Sequence, residues 1–161
     1  MGAWMMELLD HISVDRCKIL RSSYKRGALL ELVDLMVSNG PVSDGERLQQ
    51  LIFSRETSMS TGIGLGIAVP HARLERLRSA AVALGVSPSG IANYDSLDDE
   101  PVRLVVMIVT AAGQPEKYSN LLAEAVSILK REPVREDLTL ASAPAQIYSI
   151  VRKAAGEESG T

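Results

Sequence analysis

Apolar residues along this chain recur with two different periods, and the changes of period mark its elements. From Lys25 onward Ala28, Leu29, Leu32, Val33, Leu35 and Met36 follow helical spacing, and Gly40–Pro41 stops the run. Ser43 followed by Glu46 matches a capping box. A second helix is predicted there, with Leu48, Leu51 and Ile52 on its buried side and its end near Arg55–Glu56. A glycine-rich loop comes next. Ala80–Val86 and Val102–Val109 are short, valine-rich, almost uninterrupted apolar runs, bounded by Pro88–Gly90 and by Asp98–Pro101. Such runs predict interior strands of a sheet covered on both faces. Arg16–Leu20 reads as a further short strand. Helical spacing returns at Tyr118, Leu121, Leu122, Ala125, Val126 and Leu129, with Pro115 suited to the first turn. A short helix over Val134–Leu140 and a last one opening near Pro144, carrying Ile147, Ile150 and Val151, complete the pattern. The sum is one α/β (α+β) domain over residues 1–155, a three-layer arrangement with its sheet between helices, and a frayed tail over 156–161.

Composition narrows the class. The chain has 161 residues, of which 46% are apolar but only 4% aromatic, so the core is built from Leu, Val, Ile, Ala and Met. A net charge of −3 offers no field to attract a polyanion, and nucleic acid is not an expected partner. Cys17 is the single cysteine, which excludes an internal disulfide. The longest apolar run, Leu104–Ala112, is too short to span a bilayer, and Glu7 and Asp10 stand where a signal peptide needs positive charge. These features predict a cytoplasmic protein without membrane insertion. Trp4 and Met5–Met6 are expected to fold onto the domain or to mediate self-association.

The chemistry concentrates between Arg55 and Arg73. Gly62, Gly64 and Gly66 alternate in a segment that ends Val69-Pro70-His71. Glycines let such a loop turn sharply and bring amides near an anion. The spacing is not a dinucleotide fingerprint, and no Gly-Lys-Ser/Thr makes it a P-loop. His71 follows a proline that restricts the backbone and so the direction of the imidazole. A neutral imidazole is a good nucleophile at phosphorus, and the phosphoramidate it forms stays reactive. The peripheral oxygens of a phosphoryl group in transit need cations and amides around them. Arg55 and Arg73 can supply the cations, and arginine's planar fork suits the group. His71, His11 and Cys17 stand at no metal-ligand spacing, so no metal and no cofactor is expected. His11, among Asp10 and Asp15, reads as a surface residue, Cys17 as a small buried hydrophobe, and Asp95–Glu100 as a solvated turn.

Arg55-Glu56, then Ser60-Thr61-Gly62-Ile63-Gly64, then Gly66-Ile67-Ala68-Val69-Pro70-His71 resembles the signature of the mannitol/fructose-type enzyme IIA domains. These belong to the bacterial phosphoenolpyruvate-dependent sugar phosphotransferase system, and the nitrogen-regulatory enzyme IIA proteins are one branch. The resemblance implies a mixed sheet between helical layers. It makes His71 the phosphorylated residue and Arg55 its active-site arginine, with Thr61, Gly62, Gly64, Arg73 and Tyr118 expected around the phosphoryl group. It also implies a histidine-containing phosphocarrier protein as donor, and an enzyme IIB or a regulatory target as the next partner.

One position departs from that family. Its usual second histidine, followed by Leu at the start of the helix after the central strand, is replaced here by Tyr118-Ser119. Tyrosine can donate a hydrogen bond but carries no positive charge at neutral pH. The resemblance therefore implies a phosphoryl carrier in a regulatory, nitrogen-type role. Two alternatives stand beside it: a sugar-transport enzyme IIA, and an interaction module that has lost phosphotransfer. Tyr118 is expected beside His71, on the first turn of the helix near Pro115.

Overall fold

A computed structural model describes residues 6–159, so the expectation for Trp4 and Met5 lies outside the described residues. The elements run α1 (Met6–His11), β1 (Cys17–Ile19), α2 (Lys25–Ser38), α3 (Gly45–Ser58), β2 (Gly62–Gly64), β3 (Ile67–Ala68), β4 (His71–Leu74), β5 (Ala81–Ile91), β6 (Val102–Ala111), α4 (Pro115–Leu129), α5 (Glu132–Leu140) and α6 (Pro144–Ser159). The strands form one mixed sheet in the order β1-β5-β6-β3-β2, and β4 also pairs with β6. β5 is antiparallel to β6, whereas β1 on β5 and both β3 and β4 on β6 are parallel.

Side chains on β6 alternate between two cores, as the two-residue period of a strand requires. Leu104, Val106 and Ile108 meet α1, α4, α5 and α6 on one face; Val105, Met107 and Val109 meet α2 and α3 on the other. Each such side chain, fully withdrawn from water, contributes about 1.5–3 kcal/mol, and β6 is the spine of the domain. The three-layer arrangement expected from the sequence is therefore the one observed.

Four local expectations are corrected. Asp44, not Ser43, caps α3: its carboxylate accepts from the Arg47 amide at 3.0 Å. β5 does not end before Pro88 but runs on to Ile91. Its pairing with β6 shifts between Val86 and Ile91, so proline's missing N–H costs no ladder bond there. The glycine-rich stretch is a two-stranded hairpin of β2 and β3. Finally, α6 continues past Gly156 to Ser159, where fraying was expected.

Two connections position the site. β3 and β4 lie one after the other along the same side of β6, with Ala68 opposite Val105 and His71 opposite Ile108. Pro70, between them, has no N–H, but its carbonyl accepts from the Ile108 amide at 3.0 Å, so the break is short and fixed. Beyond β6, Pro115 opens α4 and brings Tyr118 in its first turn to the end of the sheet where β4 runs.

Candidate functional site

The site is assembled from the C-terminal turn of α3, the glycine hairpin, the start of β4 and the first turn of α4. On α3 the neighbours Arg55 and Glu56 point to different surroundings: Arg55 is exposed and Glu56 is buried. The Glu56 carboxylate accepts from the Thr61 amide at 3.2 Å, from the Thr61 hydroxyl in a short bond, and from the Tyr94 hydroxyl at 3.3 Å. Lys25 completes the set, its Nζ 2.9 Å from Glu56 Oε1.

The hairpin's glycines serve the backbone. A side chain on Gly62 would stand 2.2 Å from the Asp95 carbonyl oxygen. Gly64 and Gly66 adopt φ +100° and +76°, in the left-handed region that glycine tolerates. Between them Leu65 holds φ 60°, and its amide donates to Asp98 Oδ2 at 2.8 Å. This bond, followed by those from the Glu100 amide and the Ser96 hydroxyl, lowers the Asp98 pKa below the usual carboxylate value. The turn Asp95–Glu100 thus clamps the hairpin.

The polar groups of this segment are engaged within the protein. The Thr61 amide and hydroxyl face Glu56, and the Gly62 amide donates to the Ser60 hydroxyl at 3.3 Å. Gly64 lies against the Asp98 carboxylate, an unfavourable neighbour for a dianion. These residues shape the backbone beside His71.

His71, the first residue of β4, is half-buried. Its Nδ1 lies 3.1 Å from the Val69 carbonyl oxygen and 3.2 Å from the Tyr118 hydroxyl. The two rings stack with centroids 4.3 Å apart and planes 25° from parallel. A carbonyl can only accept, so the bond to Val69 requires a proton on Nδ1. In the neutral ring the lone pair then sits on Nε2. The Tyr118 hydroxyl shares the Nδ1 proton as an acceptor, which frees its own proton to donate elsewhere.

Burial lowers the His71 pKa below the ordinary imidazole value. The bond to Val69 opposes this shift; the positive charges of Arg55 and Arg73 add to it, and Glu56 partly offsets them. The ring is therefore neutral at pH 7. Arg55 and Arg73 also bear on Tyr118, whose pKa is raised chiefly by burial. Neither arginine is paired with a carboxylate among the described residues. The structure thus stacks Tyr118 on His71, and the charges of Arg55 and Arg73 bear on both rings.

His11 and Cys17 lie apart from this cluster. His11 is not on the solvated surface as expected but half-buried, Nδ1 3.1 Å from the Ala80 carbonyl oxygen, with its pKa lowered mainly by burial. Cys17 is buried, which pushes its thiol pKa up to about 12 and leaves it inert at neutral pH. Sequence reasoning missed Lys25 and Tyr94 as neighbours of Glu56. No motif carries them, because only the packing of α2 and of the β5–β6 connection brings them to α3. Among the described residues no cluster of His, Cys, Asp and Glu could hold a metal ion, and no helix is long and apolar enough to cross a membrane.

Comparison with known proteins bears on this geometry. Residues 9–154 match the family described as phosphoenolpyruvate-dependent sugar phosphotransferase system, EIIA 2. The chain is 33% identical over 127 residues to the fructose-specific EIIA component of Haloferax volcanii, a match that covers 79% of this chain and 82% of that protein. It is 30% identical over 127 residues to the nitrogen regulatory protein of Pseudomonas aeruginosa, with the same coverage of 79% and 82%. A fructose-specific EIIABC component of Bacillus subtilis is 33% identical over 134 residues; the match covers 83% of this chain but only 21% of that longer protein. Among solved structures, the nitrogen regulatory protein IIA-Ntr of Neisseria meningitidis superposes with a TM-score of 0.78 at 20% identity, covering 88% of this chain and 97% of that one. The mannitol enzyme IIA of Escherichia coli, solved in complex with phosphorylated enzyme IIB, gives a TM-score of 0.74 at 21% identity, covering 88% and 96%.

Proposed function

The chain belongs to the EIIA 2 family of the phosphoenolpyruvate-dependent sugar phosphotransferase system, and on that premise we propose that it is a phosphoryl carrier whose nucleophile is His71. The observation that carries this reading is the setting of the imidazole: Nδ1 lies 3.1 Å from the Val69 carbonyl oxygen, an acceptor that leaves the lone pair of the neutral ring on Nε2. A histidine-containing phosphocarrier protein is the donor. Nε2 attacks the phosphorus as the donor's own P–N bond breaks, and the donor imidazole leaves with the electron pair. His71 becomes a phosphorylated imidazolium, its Nδ1 proton stabilised by the Val69 carbonyl. Because the ring carries this charge, the new P–N bond remains easy to break in the onward transfer.

Around the group in transit the protein supplies charge and direction. Arg55 and Arg73 balance the phosphoryl oxygens, and the Tyr118 hydroxyl helps the Val69 carbonyl hold the Nδ1 proton of the charged ring. Tyr118 also packs on the imidazole and holds its plane. The positive charge that a second histidine would bring is missing, which favours slow onward transfer and therefore a regulatory, nitrogen-type role in the cytoplasm. The similarity to fructose-specific EIIA components, at 33% identity, favours a second reading in which the next acceptor is an enzyme IIB.

Both readings are tested by charging the chain with phosphoenolpyruvate and the general phosphotransferase proteins, then adding a fructose-type enzyme IIB. Retention of the label on the chain for many minutes supports the regulatory role. Rapid passage of the label to the enzyme IIB supports the transport role. A chain that never takes label contradicts both.

A further inference from the structure

The buried carboxylate beside the site has its full complement of donors. A carboxylate offers about four lone-pair positions. Glu56 takes the Thr61 amide and Lys25 Nζ on one oxygen and the Thr61 hydroxyl on the other, with the Tyr94 hydroxyl shared between that oxygen at 3.3 Å and the Thr61 hydroxyl at 2.8 Å. The Lys25 ammonium is itself largely enclosed and lies 4.5 Å above the centre of the Tyr94 ring. Lys25 heads α2, where its amide donates to the Asn93 side chain at 3.0 Å. The lysine is thus held by an element that contributes nothing else to the His71 site.

Arg55 is the next residue to Glu56, yet no carboxylate pairs with it among the described residues. Adjacent helix positions point to different sides, so Arg55 stays exposed at the site while Glu56 is buried and takes the distant lysine. We propose that Lys25 is a positioning residue for phosphoryl transfer at His71: by completing the shell of Glu56 it offsets that carboxylate's charge beside the site and fixes the Thr61 end of the glycine hairpin. This inference rests on the phosphocarrier reading for its functional consequence, but its electrostatic content is separate from it.

Without Lys25, one lone pair of a buried carboxylate is open and its charge is unopposed. Glu56 then repels a group that carries about −1.5 to −2 charges, and its hold on Thr61 loosens. Lys25→Met keeps the aliphatic stem and removes the charge. It should slow phosphorylation of His71 by roughly 10- to 100-fold, the scale of losing or misplacing one stabilising group. Adding Glu56→Gln to Lys25→Met removes the stranded charge, while an amide can still bond Thr61. The double variant should return to within about threefold of the wild-type rate, a coupling that only directly interacting residues show.

The test uses the full chain and two readouts. Labelling from the protein phosphocarrier and from phosphoramidate, a donor that needs no partner protein, is timed for wild type, Lys25→Met and the double variant, each shown folded by circular dichroism. The imidazole of His71, which Arg55, Arg73, Glu56 and Tyr118 face, is titrated by NMR in the same three chains. The inference expects slow labelling in Lys25→Met, recovery in the double variant, and a His71 midpoint that rises in the first and falls back in the second. It is overturned if folded Lys25→Met labels at the wild-type rate, or if the double variant is as slow as the single one. If the phosphocarrier fails to charge even the wild type, the carrier reading falls and the titration decides alone: a midpoint that moves as described upholds the role of Lys25, and an unmoved one ends it.

Discussion

Replacing Tyr118 by phenylalanine separates the two contacts it makes with His71. The ring stack at 4.3 Å survives; the hydroxyl 3.2 Å from Nδ1 is lost. That bond is long, and the Nδ1 proton already has the Val69 carbonyl at 3.1 Å, so the ground state changes little. The loss falls on the transfer, where His71 becomes a charged imidazolium whose Nδ1 proton the hydroxyl accepts. A hydrogen bond to a charged group contributes about 1.5–3 kcal/mol, and half-exposure of Tyr118 brings this down to about 1–2 kcal/mol. Labelling should slow by about 5- to 30-fold. Tyr118→Ala also forfeits the stack, about 0.5–1.5 kcal/mol more, and should be slower again by about 2- to 12-fold. Rapid-quench labelling from the protein phosphocarrier measures both, with thermal unfolding as the check on folding. If Tyr118→Phe labels as fast as wild type, the hydroxyl does not stabilise the charged ring and Tyr118 is a packing residue only.

Arg55→Ala should slow labelling by roughly 10- to 1000-fold, and Arg55→Lys should recover only part, because an ammonium cannot reproduce the fork; single-turnover rates decide. Stability should depend on pH through both histidines. Burial lowers the pKa of His11 and His71 in the folded state, so the unfolded chain binds protons more readily. Their contribution is complete above about pH 6.5 and is lost as pH falls from there through the folded values. Urea midpoints measured between pH 8 and pH 5 should fall on the acid side, and the fall should shrink in the double variant His11→Gln, His71→Gln.

The layers of this fold were legible because β6 and the helices α2 and α4 obey simple periods over many residues. A ten-residue valine-rich run with no polar gap admits little but a covered strand. Local punctuation was less legible. Ser43 and Asp44 are both good caps, and the choice between them depends on where α2 and Gly40 deliver the chain. Pro88 looks like a strand end because proline breaks ladders, yet β5 leaves the β6 ladder at that very stretch. The nucleophile and its arginine stand in a contiguous motif and could be read from it. The Glu56 shell could not, since Lys25, Thr61 and Tyr94 meet only through tertiary packing. It ties Thr61 to the carboxylate beneath the site.

The central claim is that His71 carries the phosphoryl group, and the direct measurement is acid-labile phosphate on this chain after incubation with phosphoenolpyruvate and the general phosphotransferase proteins. The account predicts base-stable, acid-labile label on the wild type, mapped to the peptide holding His71. It predicts none on a folded His71→Ala chain, whose altered residue starts an edge-lying strand and leaves both cores untouched. Label that persists on His71→Ala, or its absence from the wild type, would contradict it.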